Sequence, residues 1–130
     1  MPQEDAIREA VSTYFKAIRD ADEENWILNF ARNAVSYDPV GTPPNRGRNQ
    51  LRQFFLNIND LFEKVALHEE EIFIAGDGAA VKWRGEGVGK KGKEVEFSGI
   101  DVFRINDRGE IQQLWAYWEP QFVIAELNQG

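Results

Sequence analysis

Hydrophobic and polar positions follow two different periods along this chain, and the change comes near residue 66. Up to that point apolar residues recur at spacings of three and four, which is typical of amphipathic helices. Beyond it they alternate with polar residues, which is typical of strands. The pattern predicts helices over 3–20, 23–31 and 49–62, with a short strand over 34–37. It then predicts strands over 66–75, 79–88, 93–105 and 110–119, and a short helix over 121–127.

The connections between the later strands are short and rich in glycine, so these strands are expected to be antiparallel neighbours. The clearest connection is Asn106–Gly109, where the glycine can adopt the positive φ that a tight turn requires. Three helices followed by such strands predict an α+β, cone-shaped fold, with the helices packed on a strongly curved mixed or antiparallel sheet. A length of 130 residues suits a single domain over 1–130.

One carboxylic acid is predicted to lie on the inner face of this sheet. Asp101 shares a strand face with Phe97, Gly99 and Phe103, because side chains two residues apart point the same way. An ionised group in an apolar row is costly unless it is paired. The group is therefore expected to be either protonated or functional, since burial raises the pKa of a carboxyl group.

Two further polar residues are candidates for chemistry. Tyr14 lies inside the apolar stripe of the first predicted helix, where a core tyrosine bonded to a carbonyl is the simpler alternative. Asp38 ends the first strand and precedes Pro39, which restricts it to extended backbone. Starting a turn is the simpler role for such an aspartate. At a loop edge, water is expected to keep Asp38 ionised.

In a cone these three polar residues converge on an apolar pocket, which is the usual form of a small-molecule site. The residues predicted to line it are Phe54, Phe55, Trp83, Phe103, Leu114 and Trp118.

Composition excludes several classes of function. A formal charge of −7 disfavours nucleic acid and anionic membranes as partners. The absence of cysteine excludes thiolate metal sites and cysteine nucleophiles, and His68 is the only histidine, so no metal site is expected. No apolar run is long enough to span a membrane, and the N-terminal stretch is acidic rather than signal-like. The expected location is the cytoplasm.

The outer face of the sheet is also apolar in part. Ile100, Val102, Trp115 and Tyr117 would form a surface that no predicted helix covers. Such patches usually mark an interface, so a homodimer through the outer sheet face is expected.

Three segments carry a resemblance to a known superfamily: AVSTYFKAI around Tyr14, SYDPVG around Asp38 and SGIDVFRIN around Asp101. In order and separation they resemble the nuclear-transport-factor-2-like superfamily, and within it the Δ5-3-ketosteroid isomerases and SnoaL-like proteins. The resemblance implies that Asp38 is a base that moves a proton from the α to the γ carbon of a ketone. It implies that Tyr14 and a protonated Asp101 donate hydrogen bonds to the ketone oxygen, as in those isomerases. It also implies a steroid-like or polyketide-like substrate and no cofactor.

The chain departs from the isomerases at Phe30 and Phe55, where members of that family can carry tyrosines that support the oxyanion tyrosine. Three alternatives stay open: non-catalytic binding of a small hydrophobic ligand, another enzyme activity of the superfamily, and a partner-binding domain. A SnoaL-like cyclase or scytalone-type dehydratase would need a histidine in the pocket, and His68 is badly placed. A limonene-type epoxide hydrolase would need an inner arginine, whereas Arg84 and Arg104 fall on the outer face.

Overall fold

A computed structural model describes residues 1–129. Its helices and strands follow in the order α1 (Glu4–Arg19), α2 (Glu23–Leu28), β1 (Phe30–Tyr37), β2 (Asn45–Arg46), α3 (Gly47–Asp60), β3 (Phe62–Ala75), β4 (Gly78–Gly89), β5 (Glu94–Ile105), β6 (Ile111–Tyr117) and α4 (Pro120–Leu127).

The strands form one six-stranded sheet in the order β2-β1-β6-β5-β4-β3. Strands β3 to β6 are joined as antiparallel neighbours, whereas β1 runs parallel to β6, so the sheet is mixed. The Asn106–Gly109 turn joins β5 to β6, and Gly109 has the positive φ of 77° that such a turn needs. Two register shifts in β3 bend the edge of the sheet, since each bulge increases the local twist.

Helices α1 and α3 pack against the inner face of this curved sheet, and the buried stripe of α1 is the one that periodicity predicts. Asp22 caps α2 by accepting a hydrogen bond from the backbone N–H of Asn25 at 3.2 Å, which supports that short helix. The predicted α+β cone with a mixed, curved sheet is confirmed.

The short strand β2 was not predicted, and α2 ends at Leu28 rather than at residue 31. Two further boundaries differ because apolar residues join the sheet. Strand β1 begins at Phe30 rather than at residue 34, because Asn29 O accepts a hydrogen bond from Ile111 N at 2.9 Å and Phe30 pairs with Ile111. Strand β3 begins at Phe62, where a helical end was predicted. In both places a tertiary partner determines the backbone conformation of apolar residues that fit either period.

A large cluster of buried residues lies between the helices and the sheet. A smaller cluster joins α4 to β3 and β5 through Phe62, Val95, Val123 and Leu127. Within residues 1–129, no helix is long and apolar enough to cross a membrane.

Candidate active site

Tyr14, Asp38 and Asp101 line one hollow between the helices and the sheet. Tyr14 comes from the middle of α1, Asp38 follows the last residue of β1, and Asp101 lies on β5. Three separate elements therefore deliver the three polar side chains that the sequence singled out. The hollow has a volume of about 60 Å³.

Asp101 is 1% exposed and has apolar residues on both neighbouring strands. Val81 of β4 and Ala116 of β6 stand opposite it, and neither can pair with a charge. Burial, followed by the nearby charge of Asp38, raises the pKa of the Asp101 carboxyl well above its ordinary value. The Trp83 indole lies close enough to offset part of that rise, yet Trp83 Nε1 and Asp101 Oδ1 have no hydrogen-bond partner of normal geometry. This rise favours the protonated form of Asp101, in which the carboxyl group can donate a hydrogen bond.

Tyr14 is a second neutral donor. Its ring is buried among other aromatic rings, with the Phe15 and Phe103 ring centroids at 5.0 and 5.1 Å. Burial raises the pKa of the Tyr14 hydroxyl well above its ordinary value, and the negative charges that Asp101 and Asp38 carry when they are ionised add to the rise. Phe30 lies 6.3 Å from the Tyr14 ring and offers no hydroxyl that would reverse this rise.

Asp38 is less solvated than its loop position predicts. Its side chain is half-buried, and Trp118 Nε1–H donates a hydrogen bond to Asp38 Oδ1 at 2.6 Å. Burial raises the pKa of Asp38 to about 6, and the Trp118 hydrogen bond limits that rise because it favours the charged form. The expectation of an aspartate kept ionised by water was wrong about the cause. At neutral pH the group is nevertheless ionised, and an indole stabilises the charge.

Four of the six residues predicted to line the pocket do so, namely Phe54, Phe55, Trp83 and Trp118. The placement of Phe103 and Leu114 in the lining was wrong. Phe103 packs against the rings of Tyr14 and Phe15, and both residues belong to the core cluster beyond the hollow. The alternation of side chains along the strands correctly assigned both residues to the inner face of the sheet. It could not indicate their position along a sheet that curves beneath α1.

The lining also contains residues that the sequence did not suggest. They are Ile18, Trp26, Ile58, Asn59, Phe62, Val65, Leu67, Phe97 and Ala116. Phe97 could have been found, because it shares the inner face of β5 with Asp101. Trp26 could not, because a place on the inward side of a short helix does not by itself indicate that a residue borders the hollow.

The hollow contains acids and hydrogen-bond donors but no cation among the described residues that line it. His68 lies outside it, with Nε2 at 3.1 Å from Glu86 Oε1, and Arg84 and Arg104 are exposed on the outer face. Across residues 1–129 no group of three or more His, Cys, Asp or Glu side chains is arranged to hold a metal ion. The arrangement can accept a proton at Asp38 and donate hydrogen bonds to an oxygen from Tyr14 and Asp101.

An inner hollow in a cone of helices on a curved mixed sheet is the architecture of the nuclear-transport-factor-2-like proteins. The family model of the SnoaL-like domain matches residues 11–114, which is most of the chain. The chain therefore belongs to the SnoaL-like family. The resemblance inferred from the sequence is confirmed at this level.

Several solved structures share the fold. The epoxide hydrolase/cyclase-like enzyme SalBIII, which has a role in pyran ring formation in the polyether salinomycin, superposes with a TM-score of 0.82 at 24% identity, covering 93% of this chain and 96% of that one. RV0760c from Mycobacterium tuberculosis, in complex with estradiol-17β-hemisuccinate, gives 0.80 at 21% identity, with 89% and 95% covered. TerC, crystallised with polyporic acid, gives 0.82 at 13% identity, with 95% and 99% covered.

Proposed function

We propose that this protein catalyses proton transfer α to a ketone carbonyl, as the steroid Δ-isomerases of its superfamily do. Asp38 is the base, and Tyr14 and the protonated Asp101 form the oxyanion hole. The observation that supports the proposal is the contrast between two carboxyls in one hollow: the pKa of Asp101 is raised well above its ordinary value, which favours its neutral form, while Asp38, with a pKa of about 6, is ionised at neutral pH.

The reaction conserves its atoms without a co-reactant. The Asp38 carboxylate takes the α proton of a β,γ-unsaturated ketone, the C–H electron pair forms a double bond between the α carbon and the carbonyl carbon, and the C=O π pair moves to the oxygen. Tyr14 and Asp101 donate hydrogen bonds to the oxygen of the dienolate that forms. Asp38 then returns the proton to the γ carbon, giving the conjugated ketone.

The surroundings favour this reaction for an electrostatic reason. Donors fixed around a developing oxyanion in a water-poor site need little reorganisation, and removing one typically costs about 10²–10³ in rate. Asp101 and Tyr14 are 1% and 3% exposed, so little water competes for their protons. The raised pKa of Asp38 also makes it a stronger base than a fully solvated aspartate.

The test is conversion of a β,γ-unsaturated cyclic ketone to its conjugated isomer, followed by ultraviolet absorbance. We expect wild-type turnover and its loss in Asp38→Asn, which keeps the shape and cannot act as the base. Asp101→Leu should lower kcat by about 10²-fold or more. The matched control is Asp60→Asn, an exposed aspartate whose side chain is 85% accessible, which should retain wild-type rates. Turnover that survives Asp38→Asn would overturn the assignment of the base.

A second candidate, non-catalytic binding of a small hydrophobic molecule, is favoured by one observation. Burial raises the pKa of Tyr14, Phe30 and Phe55 carry no hydroxyl that could offset this rise, and a less acidic phenol is a weaker donor in the oxyanion hole. RV0760c and TerC were crystallised with small hydrophobic ligands on the same fold. Saturable binding of a phenol, with no turnover of any β,γ-unsaturated ketone, would establish this reading in place of catalysis.

We also propose that the protein is a homodimer through the outer sheet face. Strand register aligns an apolar row across five strands, from β3 to β1: Phe73, Ala80, Val102, Trp115 and Tyr37. The next row contains Ile100 and Tyr117, which are 46% and 52% exposed. Wild-type protein should sediment as a dimer at micromolar concentration, and Ile100→Glu should shift it to monomer. A monomeric wild type would refute the interface.

A further inference from the structure

The hollow is small for a site of this kind, and three aromatic residues make it so. Its volume of about 60 Å³, counted as the space open to the centre of a water molecule, has room for about four to six waters, since one water needs about 10–15 Å³ of such space. Water at that count occupies about as much liquid volume as a single six-membered ring. Pockets for drug-sized ligands typically measure about 300–1,000 Å³.

Trp83, Phe97 and Trp118, which we call the aromatic wall, pack against one another on one side of the hollow. Their ring centroids lie 5.8 to 6.1 Å apart in each of the three pairings. Trp83 meets both partners steeply, at 84° and 65°, so an edge of one ring abuts the face of another. A ring in this arrangement cannot rotate without displacing the other two.

The wall cannot retreat into the sheet, because it already occupies the space that two glycines leave. A Cβ placed on Gly99 would lie 2.5 Å from Trp83 Cζ2, and one placed on Gly85 would lie 2.5 Å from Phe97 Cε2. Both rings therefore lie almost directly on the backbone of β5 and β4. Any further room would have to come from movement of the sheet itself.

Trp118 is held at its other end by the base. Its Nε1–H donates to Asp38 Oδ1 at 2.6 Å, so swinging this indole outward would leave a half-buried carboxylate without its hydrogen-bond donor. The narrowness of the hollow therefore follows from two fixed supports, the glycine backbone and the Asp38 carboxylate. Induced widening on binding would break at least one of them.

Charge restricts the ligand further. The hollow is lined by two carboxylic acids and a phenol, with no cationic side chain among its described lining residues. A ligand carboxylate would meet the ionised Asp38 in a poorly solvated space without a counter-charge. Trp26 Nε1 is also buried without an acceptor, and Trp26 lines the hollow. The site thus favours a ligand whose polar atoms are uncharged hydrogen-bond acceptors.

We infer that the substrates are neutral carbonyl compounds of one or two rings, and that Trp83 and Phe97 are the specificity residues that exclude larger polycyclic ketones. This inference rests on the proposed function for the carbonyl chemistry of the substrate. The limits on size and charge rest on the hollow alone.

The experiment measures binding of phenols, which imitate the dienolate, by isothermal titration calorimetry. We expect wild-type protein to bind 2-naphthol at least about tenfold more tightly than a phenolic steroid of four rings, and 2-naphthoate not measurably. Trp83→Ala and Phe97→Ala should each improve the affinity for the steroid by about tenfold or more relative to 2-naphthol. Phe122→Ala, which truncates a 61% exposed ring on α4, is the matched control and should leave the order unchanged.

The wild-type measurement tests both the size limit and the charge limit by itself, because it does not depend on the folding of a variant. Equal or tighter binding of the steroid by wild type would overturn the size limit, and tight binding of 2-naphthoate would overturn the charge limit. Turnover measurements distinguish a failure of the size limit from a failure of the proposed function. Asp38→Asn should abolish isomerisation of cyclohex-3-en-1-one while preserving the order of phenol affinities, whereas a wrong size limit would appear as equal turnover of steroid and monocyclic ketones.

Discussion

Replacing the proposed base should stabilise the protein while abolishing its activity. Asp38 is half-buried and its pKa is raised to about 6, mainly by burial, so its ionised form is held in an unfavourable place in the folded chain. Asp38→Asn removes the charge and keeps an amide oxygen that can still accept the Trp118 N–H bond. We therefore expect Asp38→Asn to unfold at a higher temperature than wild type at neutral pH.

The magnitude follows from proton linkage. A folded pKa raised above the unfolded value means that the folded state binds the proton more tightly, so wild-type stability from this group is complete below pH 3.8 and is lost as pH rises through about 6. A rise from 3.8 to about 6 corresponds to about 3 kcal/mol at 1.36 kcal/mol per pH unit. Partial exposure and the weaker hydrogen bond to a neutral acceptor reduce the expected net gain to about 1–2 kcal/mol.

Thermal unfolding of wild type and Asp38→Asn between about pH 4 and pH 8 measures this gain. We expect the variant to melt higher by about 4–8 °C at pH 7.5, at roughly 4 °C per kcal/mol for a chain of this length, and by little at pH 4. Asp60→Asn, at an exposed position, should show no such pH-dependent gain. A variant no more stable than wild type at pH 7.5, or equally stabilised at both pH values, would refute the burial argument.

Three further results are expected. The kcat/KM of wild type should rise with pH through about 6 as Asp38 loses its proton, and a flat profile from pH 5 to 8 would contradict the assigned base. Trp118→Phe removes the hydrogen bond that limits the Asp38 pKa, so the acidic limb of the same profile should move to higher pH, which a pH titration of kcat/KM detects. Gly99→Ala would bring a Cβ within 2.5 Å of Trp83 Cζ2 and 2.6 Å of Tyr117 O, so chemical denaturation should show a loss of about 1–3 kcal/mol. An unchanged denaturation midpoint would show that the wall has room to move.

Periodicity predicted the elements well wherever the fold agrees with local pattern. The buried stripe of α1 and the alternating burial of β4 and β5 follow directly from spacing in the sequence. The prediction failed at Phe30 and Phe62, where an apolar residue beside a helical segment joins the sheet. Those boundaries depend on partners far along the chain, such as Ile111 for Phe30, and no local pattern records them.

The site was predictable in its composition and less so in its electrostatics. Strand parity placed Asp101 inward, and the order of the three motifs brought Tyr14 and Asp38 to the same hollow. The pKa of Asp38 could not be predicted, because the burial that raises it depends on the tertiary fold and the hydrogen bond that limits the rise comes from Trp118, which lies 80 residues away in sequence. Phe103 was misplaced because parity assigns a residue to a face of the sheet and says nothing about curvature.

The Trp118 indole belongs both to the aromatic wall and to the base, and this limits how such a chain can diversify. A substitution that replaced Trp118 with a smaller residue, and so admitted bulkier molecules, would also alter the basicity of Asp38. Drift toward new substrates is therefore easier through Trp83 or Phe97, neither of which bonds to Asp38. In descendants that retain the chemistry, we expect variation to accumulate at those two positions before it reaches Trp118.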